Sequence, residues 1–168
     1  RRRGVEPPPP SANRWRSRWI WFGRPATRRP PLTRPERDVA GDRVGLLRRR
    51  FELTSVPATA PCRIWTDGRH VVRVNGVEVA RGPVRANPRR ARYDAFDLAS
   101  NLLVGANVLA ITAVHFEQQT SWWTPVPPSY TLGAGSLAVE AWLGDALVAS
   151  ETDGADEDEA GWLVGDAS

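Results

Sequence analysis

Residues 71–83 read VVRVNGVEVARGP, valines alternating with polar residues about an Asn-Gly pair. A two-residue type I′ turn needs positive φ at both central positions, and Asn-Gly is the strongest short signal for it. The alternation on either side has the two-residue period of a half-buried strand. Folding at Asn75-Gly76 sets Val74 opposite Val77, Arg73 opposite Glu78 and Val72 opposite Val79. The four valines then share one face, and Arg73 meets Glu78 on the other. A solvent-side pair of this kind contributes only about 0.2–1 kcal/mol. The arginines of this stretch are thereby assigned to the fold and not to an acidic ligand.

The same texture runs through most of the chain. Apolar runs near 44–54, 62–67, 70–75, 77–81, 107–116, 136–143 and 146–150 are separated by turn signals, Asp67-Gly68 among them. None sustains a helical period over three turns, so the expected class is all-β, an antiparallel β-sandwich. Between the hairpin and the strand VLAITAVHF, Asn87-Pro88 opens a loop anchored by Tyr93, Phe96, Leu98, Leu102 and Leu103, and residues 100–103 can form one helical turn. Residues 1–18 are Arg/Pro-rich and read as a disordered or linker arm, with a single sandwich domain over 19–165. In RWIWFG, Trp19 and Trp21 fall on one side of a short extended run and Ile20 on the other. Trp65, Trp142 and Trp162 sit in or beside strands and are assigned to core or inter-domain packing.

Charge bears on partners. All 23 basic residues are arginine, which reads as the coding bias of a GC-rich, bacterial genome. Residues 1–50 hold 15 arginines against 4 acidic residues, whereas residues 51–168 hold 8 against 15. A nucleic-acid domain carries its positive charge on the folded face that docks. Here the body is acidic and the arm basic, so no nucleic-acid partner is expected. Cys62 is the only cysteine, which excludes an internal disulfide and a thiolate cluster. No apolar run is long enough for a membrane helix, and the start has no apolar signal region, which favours the cytoplasm. Both ends read as those of a piece of a longer protein.

Residues 72–116 carry an ordered set of short motifs: Val74-Asn75-Gly76, Arg81-Gly82-Pro83, Tyr93-Asp94-Ala95-Phe96-Asp97, and Leu103 through Gly105 and Asn107 to Ile111. In that order and spacing they resemble the amino-terminal β-sandwich of bacterial α-L-rhamnosidases, a jelly-roll, galactose-binding-like domain. RWIWFG and LLRRRFEL resemble the family's opening, and the likeness covers about residues 19–150. The resemblance implies a non-catalytic accessory domain that braces a downstream (α/α)6 catalytic barrel, or shapes its substrate cleft, with rhamnose-containing glycans or glycosides as ligands of the whole. The family's catalytic carboxylates perform inverting hydrolysis in that barrel, which has no room here, so no catalytic residue is carried over.

The candidate sugar contacts are Trp122 and Trp123 in SWWTPVPPSY, with His115, Glu117, Gln118 and Gln119 just before them. Sugars stack their C–H faces on aromatic rings while a few polar groups fix orientation. The other reading, that these tryptophans cap the core or pack on a neighbouring domain, is preferred. Tyr93 and Asp94, with Asp97, are further candidates, for which side-chain bonds holding a loop are the preferred account. The acidic run ETDGADEDEAG lacks the spacing of a calcium-binding loop, so no cofactor is expected, although a structural calcium would find oxygen ligands there. A free-standing carbohydrate-binding module is the alternative function, and nucleic-acid binding through the arm a lesser one.

Overall fold

The structure, a computed structural model, describes residues 15–17, 20, 43–84, 92–115, 136–150 and 162–166. They form nine strands: β1 (Arg43–Leu53), β2 (Pro61–Thr66), β3 (Arg69–Val74), β4 (Val77–Gly82), β5 (Asp94–Asp97), β6 (Gly105–His115), β7 (Leu137–Leu143), β8 (Ala146–Ala149) and β9 (Trp162–Asp166). The only helical residues among those described are a 3-10 turn at Ala99–Asn101, and no helix is long and apolar enough to cross a membrane. One sheet has the order β4-β3-β6-β1-β9 and the other β5-β2-β7-β8, with every pairing antiparallel. The fold is an antiparallel β-sandwich, five strands on four.

Strict alternation aims one face of each sheet inward. Leu47, Val72, Val74, Leu109 and Ile111 from the five-stranded sheet meet Ile64, Leu137, Val139 and Ala141 from the other, all 1% exposed or less. Burying each large aliphatic side chain contributes roughly 1.5–3 kcal/mol. Ile20 enters the same core and exchanges main-chain hydrogen bonds with Leu137 at 2.9 and 3.1 Å. Trp162 joins it from β9, and its indole Nε1 donates to Ala149 O at the end of β8 (3.0 Å), tying one sheet to the other.

The Asn75-Gly76 turn forms as expected, with φ of 51° and 85°. Val74 faces Val77 and Arg73 faces Glu78, but the register then slips and Val72 faces Ala80 instead of Val79. The bulge has a consequence for charge. In a regular strand residues three apart point to opposite faces, and one extra residue brings them to the same face. Glu78 therefore receives Arg81 in a two-point pair (Nε to Oε1 3.0 Å, Nη2 to Oε2 2.9 Å), with Arg73 at 3.7 Å. Val72 and Val74 are fully buried, while Val77, on an edge strand beyond the core, is 52% exposed.

Two further expectations are modified. Residues 94–97, read as part of a loop, form β5 against β2. Asp67-Gly68 is a tight turn, yet it carries the chain from β2 in one sheet to β3 in the other. Gly68 is required there: at φ +135°, a Cβ would lie 2.0 Å from Val114 O.

Candidate functional site

Of the sequence-derived candidates, Trp122, Trp123, Glu117 and Gln119, with Gln118, lie outside the described residues. His115 closes β6 with 1% exposure, and its Nδ1 donates to Asp67 O at 3.0 Å. Its ring thus holds the turn between the sheets and faces no solvent. Tyr93 is 44% exposed and presents its ring to that of Trp15, centroids 5.8 Å apart and nearly perpendicular. Asp94 turns to other work: its carboxylate accepts from the Val84 N–H at 3.1 and 3.2 Å. Asp97 Oδ1 likewise accepts from the main-chain N–H groups of Ala60 (3.0 Å) and Ala99 (2.8 Å). The Tyr-Asp-Ala-Phe-Asp motif is thus a pair of loop clasps around Phe96, which packs on the core.

The Asn-Gly and Gly-Ala-Asn motifs belong to one hydrogen-bonded structure. Asn75 Nδ2 donates to Asn101 O and to Asn107 Oδ1, both at 2.9 Å, and its Oδ1 accepts from the Val108 N–H. Asn107, 1% exposed, returns donations to Leu103 O and Gly105 O while accepting from the Leu103 N–H. Both amide hydrogens and the oxygen of each carboxamide are engaged by this loop and the strand that follows it.

Where Arg81-Gly82-Pro83 leaves β4, His70 and Asp94 meet across the two sheets, Nε2 to Oδ2 at 3.4 Å. Neither ring nitrogen of His70 has a hydrogen-bond partner among the described residues. Burial pushes the imidazole down to about 4, and burial also raises the Asp94 carboxyl against the lowering effect of the Val84 N–H. The ring is therefore neutral at neutral pH. Gly82 lies between them, where a Cβ would sit 2.1 Å from Asp94 Oδ2 and 2.6 Å from His70 Cε1. The glycine of the Arg-Gly-Pro motif is there for space.

The most chemically distinctive cluster was missed in the sequence. On the outer face of the four-stranded sheet, Arg63 of β2 and Glu140 of β7 pair side by side, Nε and Nη2 to Oε2 at 2.8 and 2.6 Å. The guanidinium lies under Trp15 (4.4 Å to the centroid), Trp142 (5.1 Å) and Tyr93 (5.8 Å). Residues 15–17, within the stretch expected to be an arm, thus lie on the sheet, because their aromatic ring and main-chain donors complete this charged pair. The available signal was a charged residue in each of two apolar strands, PCRIWT and LAVEAWL. Nearby Cys62 is buried, and desolvation followed by the Glu140 charge pushes its thiol far up, away from the thiolate a nucleophile requires. Among the described residues no three His, Cys, Asp or Glu side chains gather where they could hold a metal ion.

No protein-family model matches the sequence, and no curated protein matches it. Solved structures do. A GH78 family rhamnosidase of Bacillus sp. GL1 is similar over 90% of this chain and 13% of its own, at 26% identity and a TM-score of 0.65. The α-L-rhamnosidase of Dictyoglumus thermophilum shares the fold over 73% of this chain and 13% of its own (14% identity, TM-score 0.52). That of Streptomyces avermitilis, solved with L-rhamnose, shares it over 74% and 12% (20% identity, TM-score 0.52). The chain spans about an eighth of the length of each of these proteins. It is similar, over nine-tenths of its length, to a single β-sandwich domain of a GH78 rhamnosidase.

Proposed function

We propose that the chain is a non-catalytic accessory domain of an α-L-rhamnosidase-like glycoside hydrolase, standing on the amino-terminal side of a catalytic domain. Its task is to brace that domain or to help shape its substrate cleft. The observation that carries this reading is the match to one domain of the Bacillus rhamnosidase over 90% of the chain at 26% identity. The use of the motif residues supports it. Asp94, Asp97 and Glu140 hold main-chain N–H groups, and His115 holds a carbonyl. Inverting hydrolysis needs two carboxyl groups about 6.5–9.5 Å apart with a water between them, and carboxylates engaged as clasps serve another purpose.

The test is an aryl α-L-rhamnoside assay on the polypeptide in which these residues naturally occur and on residues 1–168 alone. The long chain is expected to release the aglycone and the short one to release none. A long chain inactive on every such substrate would defeat the proposal.

A further inference from the structure

Arg63 and Glu140 stand on the sheet face turned away from the core, yet they are only 3% and 0% exposed. Over the guanidinium lie the rings of Trp15, Tyr93 and Trp142. A carboxylate removed from water must have its oxygens filled by donors, or the charge is too costly to hold. Arg63 fills Oε2. Oε1 is filled by the chain's own start: it accepts the main-chain N–H of Arg16 and, at 2.7 Å, that of Ser17.

We propose that the Arg63–Glu140 notch is a peptide-binding site whose ligand is this chain's own Trp15–Arg16–Ser17 segment. The notch reads an aromatic ring laid on a guanidinium, followed by two successive main-chain N–H groups aimed at one carboxylate oxygen. Of the three residues only Trp15 is recognised by its side chain; Arg16, exposed, is recognised through its backbone. Ile20 anchors the strap a second time, adding main-chain bonds beside β7 as a peptide does when it extends a sheet. Residues 15–17 are thus tied to the sandwich at a place where the outer face of the four-stranded sheet holds buried charge.

Amide hydrogen exchange on the full 168-residue chain tests this. The Arg16 and Ser17 amides are expected to exchange on the order of a hundredfold more slowly than in an unstructured peptide. Trp15→Ala, in a part-exposed position the core does not need, is expected to leave the amides of β6 protected. It should speed exchange at Arg16 and Ser17 at least about tenfold and move the Trp142 indole resonance. Arg16→Ala, which keeps the backbone donor, should change neither. Exchange at unstructured rates in the parent chain would overturn the proposal, as would protection of both amides that survives Trp15→Ala. Glu140→Gln should release the same two amides if it folds; if it does not, the Trp15 and Arg16 variants decide alone.

Discussion

Asn75 carries a φ of 51° together with three side-chain hydrogen bonds to residues 26 to 33 positions away. Its turn-forming role was legible, because positive φ is a local demand that Asn-Gly meets locally. Its second role was not, since nothing adjacent in sequence marks Asn101, Asn107 and Val108 as its partners. The two roles separate in Asn75→Asp. Aspartate tolerates the turn, yet a carboxylate cannot donate to Asn101 O and Asn107 Oδ1 and would confront both oxygens. The variant is expected to lose about 3 kcal/mol, read as a fall of roughly 10 °C in Tm by thermal denaturation. His70 gives a prediction in pH. Its folded value near 4 lies below its ordinary 6.5, so between those values the unfolded chain takes up a proton that the folded chain refuses. Stability is intact above the window and falls as pH drops through it, by about 1.4 kcal/mol per unit and about 3 kcal/mol in all. Asp94, with its raised value, acts in the opposite sense. His70→Gln should therefore flatten the acid limb of a denaturant-unfolding series between pH 6.5 and 4; an equally steep limb would mean that His70 is charged in the native chain.

At the level of elements, strands with an alternating run were legible nearly to the residue, as with β3 from the run 70–75, while β6 starts at Gly105, inside the stretch read as a turn before VLAITAVHF. The four residues of β5 were not, because Asp-Ala-Phe-Asp offers a single inward aromatic and no period to detect. What places β5 beside β2 is the clasp from Asp97 to Ala60 and Ala99, a tertiary fact. Asp97→Ala leaves two main-chain donors without their acceptor and is expected to cost about 2 kcal/mol, seen as a lower urea midpoint with an unchanged slope. The β3–β4 bulge escaped notice for a related reason, since a single extra residue leaves the valine pattern intact while shifting its partners. Glu78 supplies the contrast. It gathers Arg73 and Arg81 in a well-formed surface network, but both salt bridges stand in water. Glu78→Gln is expected to leave Tm unchanged within error, and a clear fall would show that the network matters more than exposed pairs ordinarily do.

The whole molecule rests on one core shared by two sheets, with ties between them at Trp162–Ala149 and His115–Asp67. Among the described residues the buried aliphatic side chains of both sheets form one cluster, so a single cooperative transition is expected. Near-ultraviolet circular dichroism, far-ultraviolet dichroism and calorimetry should give coincident midpoints; a separate early transition would mean that one sheet melts independently. At this scale the sequence disclosed the class and the motif order, while the notch on the outer face stayed hidden because its two halves, Arg63 and Glu140, are 77 residues apart. The interlocked carboxamides also have a bearing on how the molecule ages. Asparagine followed by glycine is the pair most prone to cyclise and deamidate, a reaction that requires the side-chain carbon to swing onto the next main-chain nitrogen. In the native fold the Asn75 carboxamide is pinned by Asn101, Asn107 and Val108 and cannot make that swing. Folding therefore guards the residue on which it depends, and a chain left unfolded for long would return with an aspartate or isoaspartate that its own loop rejects.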